Sequence, residues 1–212
     1  MELKFSKNWF NDVAPQNWDK IFDWYVNESG RQINAALEIG CFEGQATCYM
    51  ADKWLAKGCA YDVVDTFGGS EEEDGMTDVM DNLEQSDFIY DNFIHNISHY
   101  PDTNFRVHRG FSQLIVPKLY EDGETYDFIY IDASHLADDT FVDAYYAWKM
   151  LREGGIMIFD DFGWKDPNRT GHNDSPELGI KAFMMMNEGS YSIIMQGYQL
   201  GLLKQKPNEQ EK

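Results

Sequence analysis

The chain has 212 residues, of which 37 are acidic and 17 are basic, so its formal net charge at pH 7 is −20. This length corresponds to about one domain, and a content of 43% apolar residues excludes a disordered chain. The negative charge argues against binding to nucleic acid or to anionic lipid, because both need clustered Lys and Arg.

Three features of the sequence indicate the cellular compartment of the protein. No apolar run approaches the roughly 20 residues of a membrane span, and the first seven residues lack the apolar core of a secretory signal. The three cysteines, Cys41, Cys48 and Cys59, form no Cys-x-x-Cys pair and are an odd number. We therefore predict reduced thiols and a cytoplasmic protein.

The order of predicted elements begins with a helix. Apolar residues recur at helical spacing from Trp9 to Tyr25, before Gly30, and predict an amphipathic helical cover over residues 1–30. A main domain is expected over 31–205, with a polar tail at 206–212. Seven apolar runs predict the strands of that domain: Ala35–Ile39, Ala60–Val64, Phe105–His108, Phe128–Ile131, Ile156–Phe159, Tyr191–Met195 and Leu200–Leu203.

Helical patterns separate most of these strands. They run over Gln45–Lys57, over Leu136–Arg152 with Gly154 and Gly155 as the stop signal, and over Pro176–Asn187. The stretch Ser70–Asn104 is acidic at its start and has helical spacing later; it is interpreted as a solvated loop leading to a core helix, with a mobile cover as the alternative.

Alternation of strands and helices predicts an α/β fold with a sheet of mostly parallel strands and helices on both faces. The last two strands are joined by a segment around Gly197 that is too short for a crossover, so we expect the last strand to be antiparallel.

Ligands of open α/β sheets bind beyond the carboxyl ends of the strands. The first strand is followed there by Gly40 and Gly44, which permit close approach to a ligand or serve the turn alone. Asp65 ends the second strand, where an acid can accept ribose hydroxyls. The third strand leads into a short turn, 110–113, that would frame an adenine. A cofactor that contains a nucleoside is therefore predicted.

Three carboxylates follow the fourth and fifth strands, at Asp132, Asp160 and Asp161. These strands should be neighbours, so the carboxylates would converge and would be neutralised by a hard cation such as Mg²⁺. The alternative is a helix cap at Asp132 and a solvated turn at Asp160.

Together these motifs resemble the class I S-adenosylmethionine-dependent methyltransferases. Glu38-x-Gly40-x-x-x-Gly44 is similar to their first motif, and the runs 126–135 and 154–161 resemble the cation-dependent O-methyltransferases, both catechol-type and the macrocin-type branch that modifies sugars. The similarity spans residues 34–204 and implies a Rossmann-like α/β fold with a seven-stranded, mostly parallel sheet and an antiparallel last strand. It implies methyl transfer from S-adenosylmethionine to a hydroxyl of a small molecule or sugar.

The resemblance also implies a role for individual residues. Those expected to bind S-adenosylmethionine are Glu38, Gly40, Phe42, Gly44, Asp65, Phe111, Ser112 and Gln113. Asp132, Asp160 and Asp161 are expected to hold Mg²⁺. The family bases are replaced here, by Ser134 where the sugar branch has an aspartate and by His135 where the catechol branch has a lysine, so Asp132 and His135 are the expected catalytic pair.

Several points stay open at this stage. Candidate roofs over the substrate are the region Trp9–Trp24, the stretch Ser70–Asn104 and the segment from Phe162 to His172, in which Trp164 and His172 are candidate substrate contacts. Alternatives to the methyltransferase are an NAD-dependent oxidoreductase, disfavoured because Gly-x-Gly-x-x-Gly is missing, and a non-catalytic cofactor-binding module. The expected partner is a small-molecule acceptor, without nucleic acid or membrane, in a possible homodimer.

Overall fold

The computed structural model describes residues 2–69, 87–165, 171 and 173–206. The strands are β1 (Ile33–Ile39), β2 (Leu55–Asp65), β3 (Asn104–Arg109), β4 (Tyr126–Ile131), β5 (Leu151–Phe159), β6 (Tyr191–Gln196) and β7 (Leu200–Lys204). The helices of the described ranges are α1 (Trp9–Val13), α2 (Pro15–Phe22), α3 (Gln45–Lys53), α4 (Phe88–Ile97), α5 (Ser112–Glu121), α6 (Ala137–Met150) and α7 (Pro176–Met186), with a π-helical turn at Asp23–Glu28.

All seven strands form one sheet in the order β3-β2-β1-β4-β5-β7-β6. Every pair from β3 across to β5 is parallel, whereas β7 runs antiparallel to both β5 and β6. The predicted Rossmann-like sheet with an antiparallel last strand is confirmed. The order in which strands are added to the sheet reverses between β1 and β4, and such sheets bind ligands at this point.

Apolar layers cover the two faces of the sheet. One layer joins α2, α3 and α4 to the sheet through fully buried residues that include Phe22, Met50 and Phe93. The other joins α5, α6 and α7 through residues such as Val116 and Phe183. No helix in the described part of the chain is long and apolar enough to cross a membrane.

The N-terminal segment differs from the single predicted helix. It breaks at Ala14, because Pro15 has no backbone N–H to continue α1 and instead occupies the first turn of α2. Trp18 of α2 is fully buried, and its ring packs edge-on against Phe128 and Tyr130 of β4. The segment therefore lies directly on the sheet.

Two predicted helix ends are wrong. The helix α3 ends at Lys53 instead of Lys57, and β2 begins two residues later. The glycines expected to stop α6 lie inside β5, which begins directly after Met150. Gly154 has φ +74°, and the pairing of β5 with β4 shifts register next to it, so the glycine permits an irregular strand start.

One helix was not predicted from the sequence. Pro117 lies inside α5, and an internal proline usually argues against a helix. The proline removes the N–H that would donate to the carbonyl of Gln113, yet the helix continues to Glu121 and packs on the sheet through Val116 and Leu119. The helical spacing predicted late in Ser70–Asn104 is confirmed by α4, while residues 70–86 lie outside the described ranges.

Candidate active site

A cavity of 440 Å³ lies beyond the carboxyl ends of β1, β2, β3 and β4. The loops that form it are aligned because backbone hydrogen bonds continue past the strands: Gly40 N–H donates to Val64, Gly110 N–H to Asp65 and Asp132 N–H to Ile39. This volume is within the range of small-molecule and cofactor sites. The predicted nucleoside-binding turns are therefore brought together.

The loop after β1 depends on glycine at its first position. Gly40 has φ +82°, and a Cβ atom there would lie 2.0 Å from the carbonyl oxygen of Asp132. Gly44 has φ +84° and makes room for the ring of Phe93. Gly40 lines the cavity, whereas Gly44 is not one of the described residues that do so. Gly44 thus has a structural role that is independent of any ligand.

An aromatic pair closes one end of the cavity. Phe42, at φ +50°, lies 5.5 Å from Trp9 of α1, measured between ring centroids. The segment before Trp9 is attached to the core, since the N–H and hydroxyl of Ser6 both donate to Glu43 and the backbone of Lys4 pairs with Asn96. The N-terminal region therefore contributes to the cavity wall.

Glu38 lies under the loop after β1 and is buried. Its Oε2 atom accepts hydrogen bonds from the hydroxyls of Thr47, at 2.6 Å, and Tyr61, at 2.7 Å. Burial raises the pKa of Glu38 to about 7, against the lowering effect of these two donors. A cationic ligand group beside it would favour its charged form.

Asp65 fixes the loop at the end of β2. Its Oδ2 atom accepts the N–H groups of Cys41, at 2.7 Å, and Phe42, at 2.9 Å, while Oδ1 accepts the N–H of Phe67 at 2.6 Å. Asp65 also lines the cavity. A carboxylate has about four lone-pair sites, so one remains for a ligand hydroxyl.

The turn after β3 forms the opposite end of the cavity. Phe111 is 64% exposed, whereas Ser112 is buried at the start of α5. Both line the cavity together with Gln113. The hydroxyl of Ser112 donates to Asp143 Oδ2 of α6 at 2.9 Å. An aromatic ring and short polar groups therefore meet here, as the sequence predicted.

Two of the three predicted metal carboxylates converge. The hydroxyl of Tyr130 lies 3.0 Å from Asp132 Oδ2 and also donates to Asp160 Oδ2. The amide of Gln199 donates to the same oxygen of Asp160 at 3.2 Å. Burial, followed by the charge of Asp161, raises the pKa of Asp160 to about 6. Mg²⁺ often binds one or two carboxylates and keeps several waters, so Asp132 and Asp160 fit such an ion.

Asp161 is directed elsewhere. Its Oδ2 atom lies 2.9 Å from Nε2 of His135, and its Oδ1 atom accepts the hydroxyl of Tyr198. The His135 ring is buried and stacks on Trp164 with centroids 4.3 Å apart. Across the described ranges, no group of three or more His, Cys, Asp or Glu side chains has an arrangement that could hold a metal. His172 lies outside those ranges.

Two residues that were not predicted from the sequence, Asp139 and Asp143, hold serines of the cavity wall. The hydroxyl of Ser134 donates to Asp139 Oδ2 at 2.9 Å, and both residues line the cavity. Asp139 belongs to the first turn of α6, where a carboxylate is favoured by the helix dipole, so sequence reasoning assigns it to the helix alone. Asp143 had a clearer signal, because it is a charged residue on the buried face of a helix.

The cavity wall has a strongly negative charge. The carboxyl side chains among the described lining residues are those of Glu38, Asp65, Asp132 and Asp139, with no Lys, Arg or His among them. Such a wall favours a ligand with positive groups, because four carboxylates in a confined site repel one another.

Comparisons with known proteins agree with this geometry. A family model described as a methyltransferase domain matches residues 37–162. An O-methyltransferase from Bacillus cereus, solved in complex with SAH, is 21% identical with a TM-score of 0.58, covering 91% of this chain and 83% of that chain. The O-methyltransferase TomG from Streptomyces achromogenes, in complex with SAM, is 18% identical with a TM-score of 0.59, covering 96% and 82%.

A third solved structure contains a metal. The methyltransferase MycE of the mycinamycin biosynthetic pathway, in complex with Mg, SAH and mycinamycin VI, is 14% identical with a TM-score of 0.56, and the match covers 98% of this chain and 52% of that chain. At these identities the solved structures establish a shared fold. The sequence matches no curated protein.

Proposed function

This chain belongs to the family described as a methyltransferase domain, and from that membership we propose that it is an S-adenosylmethionine-dependent O-methyltransferase acting on a hydroxyl of a small molecule or sugar. The observation that carries the proposal is the cavity at the reversal point of the sheet, whose charged lining side chains are all acidic over the described residues. S-adenosylmethionine has a cationic sulfonium and an ammonium group, which suit that lining. The solved relatives bound to SAM or SAH support the same ligand.

The cofactor is proposed to lie along the loops after β1, β2 and β3. Its amino acid part would contact Gly40 and Phe42, with Glu38 beneath and Gly44 shaping the turn from behind. Asp65 would accept a ribose hydroxyl with the lone pair that its three backbone donors leave free. The adenine would lie at the other end of the cavity, bordered by Phe111, Ser112 and Gln113.

The acceptor hydroxyl is proposed to lie beside Asp132. Methyl transfer is an in-line displacement at carbon, so holding the nucleophile opposite the sulfonium supplies much of the rate. Asp132 and Asp160 would hold Mg²⁺, with Asp161 as a third ligand only if it leaves His135 and Tyr198. The chemistry that the ion supplies when bound is a lower pKa and a fixed orientation for the acceptor hydroxyl.

The proton of the acceptor needs a base. His135 remains the candidate, and Asp161 would hold its ring and stabilise the charged imidazolium. His135 is not one of the described residues that line the cavity; it contacts Asp161 and Trp164, so it would serve an acceptor that reaches the carboxylates from that side. Loss of turnover in His135→Gln with unchanged cofactor affinity would support this role, and full turnover would exclude it.

Calorimetric titration with S-adenosylhomocysteine tests the function directly, with NAD⁺ as the comparison ligand and with or without Mg²⁺. We expect saturable binding of S-adenosylhomocysteine and no signal from NAD⁺. Hydroxylated acceptors would then be screened for methyl transfer in Mg²⁺ and in chelator. Absence of nucleoside binding under all conditions contradicts the proposal, and binding without transfer to any acceptor class favours a cofactor-binding module. Cytoplasmic location and a homodimer remain predictions.

A further inference from the structure

Two carboxylates on one face of α6 each hold a serine of the cavity wall. Asp139 Oδ2 accepts the hydroxyl of Ser134, and Asp143 Oδ2 accepts the hydroxyl of Ser112, both at 2.9 Å. Residues 139 and 143 are one helical turn apart, so their side chains are neighbours. The two serines come from different loops, after β4 and after β3, and both line the cavity. The helix thus joins two walls of the site.

We expect Asp143 to be destabilising at this position. It is 1% exposed, and its Oδ1 atom is buried without a hydrogen-bonding partner among the described residues. A buried carboxylate oxygen without a donor is unfavourable. An apolar side chain would pack there without that penalty, which indicates that the contact with Ser112 has a function.

That function follows from the hydrogen-bonding capacity of a serine. A hydroxyl has one proton and two acceptor lone pairs. When the proton is committed to a carboxylate, only lone pairs are left for a ligand. Ser134 uses one of its lone pairs on the N–H of Leu136, at 3.1 Å, and has one left. The two loops therefore present two acceptors to the cavity and no hydroxyl donor from these serines.

We propose that Asp139 and Asp143 are positioning residues that make Ser134 and Ser112 acceptors for the exocyclic amino group of adenine, and so select adenosyl over inosyl nucleosides. The inference rests on the proposed function, which places adenine at this end of the cavity. An amino group offers two N–H donors to the two oxygens. The 6-oxo group of inosine would face them with a third acceptor and repel both.

The experiment compares the binding of S-adenosylhomocysteine and S-inosylhomocysteine to the full chain by calorimetry at pH 8. We expect the adenosyl compound to bind the unaltered protein at least about 30-fold more tightly, because the inosyl compound leaves buried acceptors facing one another. Asp143→Leu and Asp139→Ala free the serine hydroxyls to rotate and donate to the 6-oxo group. Each should lower the affinity ratio by about 5-fold or more.

Matched variants separate this role from a merely structural one. Asp138→Ala removes the adjacent exposed acid of the same helical turn and should leave the ratio unchanged. Ser112→Ala removes the other partner of the Ser112–Asp143 hydrogen bond and leaves the sequence of α6 unchanged. It should also lower the ratio, which decides the question if Asp143→Leu does not fold. Thermal unfolding of each variant reports folding independently of the ratio.

The outcomes distinguish the two proposals. If the unaltered protein binds neither nucleoside, the proposed function fails and this inference fails with it. If it binds both equally, or if the ratio survives in folded Asp143→Leu, Asp139→Ala and Ser112→Ala, the inference alone is overturned. A lowered ratio in these variants and a retained ratio in Asp138→Ala support it.

Discussion

The two halves of the cavity are built in different ways. In the cofactor half, formed by the loops after β1, β2 and β3, Asp65 is held by three backbone N–H groups. In the carboxylate half, formed by Asp132, Asp160 and Asp161, one backbone N–H, that of Asp161, donates to Asp160, and the other contacts come from side chains, above all Tyr130 and residues of the β6–β7 hairpin. The first half therefore depends on backbone shape, and the second depends on individual side chains.

The largest expected effect is a loss of turnover when a carboxylate of the carboxylate half is replaced. Asp132→Asn and Asp160→Asn should each lower turnover by about 10²–10⁴-fold, because they remove charge beside the reacting hydroxyl. The affinity for S-adenosylhomocysteine should change by less than about threefold, since the cofactor half is intact. Steady-state kinetics and calorimetry on the same preparations measure both. Full turnover in chelator contradicts the metal role of these carboxylates.

Backbone shape is tested by Gly40→Ala. The new Cβ atom would lie 2.0 Å from the Asp132 carbonyl oxygen at φ +82°, so the loops after β1 and β4 must separate. We expect the free energy of unfolding to fall by about 3 kcal/mol or more and nucleoside binding to be lost.

Gly58→Ala is the matched control for Gly40→Ala. Gly58 has φ +79°, and a Cβ atom there would meet no other atom within 4 Å. The free energy of unfolding of this variant should fall by only about 1–2 kcal/mol, which is the cost of the left-handed conformation for alanine, and ligand binding should be retained. Urea unfolding measures both variants, and equal losses would show that the approach of the two loops contributes nothing.

A pH dependence of stability is expected from Asp143, a buried acid of α6 that contacts the cofactor half through Ser112. Burial raises the pKa of Asp143 from 3.8 to about 7, so the folded state binds its proton more tightly than the unfolded state does. Its contribution to stability therefore declines as pH rises from about 4 to about 7. Asp143→Leu lacks this contribution, and should gain about 2–4 kcal/mol relative to the unaltered protein between pH 4 and pH 8.

Thermal or urea unfolding at both pH values measures this gain. Glu38 and Asp160 also titrate with raised pKa values, but they are present in both proteins, so their effect cancels in the difference. A difference that does not change with pH would mean that Asp143 is not proton-linked to folding.

The smallest effect concerns the aromatic end of the cavity. Trp9→Ala removes the ring beside Phe42 and should weaken ligand binding by about 3–10-fold, because an aromatic contact contributes about 0.5–1.5 kcal/mol. Stability should change little, since Trp9 is 42% exposed. Trp24→Ala is the control, because Trp24 is similarly exposed and does not line the cavity. Equal ligand affinity of the two variants would show that Trp9 does not contribute to binding.

The same contrast explains what the sequence could predict. Strand alternation predicted the sheet, and the residues directly after each strand predicted the cofactor half, because neighbouring parallel strands bring their ends together. Local signals misled where long-range packing decided the outcome, as at Gly154 inside β5 and Pro117 inside α5.

In the carboxylate half, the positions of the acids could be predicted from the sequence, but their hydrogen-bonding partners could not. Asp161 meets Tyr198 across 37 positions, and Asp160 meets Gln199 across 39. Such contacts depend on how β7 is inserted into the sheet, and no local pattern encodes them. Three metal ligands were expected because all three acids directly follow neighbouring strands. That position does not determine where a side chain points, and the Asp161 side chain contacts His135.

The contacts of Gln199 affect the order in which the protein can fold during synthesis. Its buried amide accepts the indole N–H of Trp18 at 2.8 Å and donates to Asp160 at 3.2 Å, so a residue of the turn between β6 and β7 bridges the N-terminal region and the carboxylates. On the ribosome, the loops of the cofactor half emerge long before residue 199. The carboxylate half cannot be completed until the final hairpin has left the exit tunnel and closed onto Trp18.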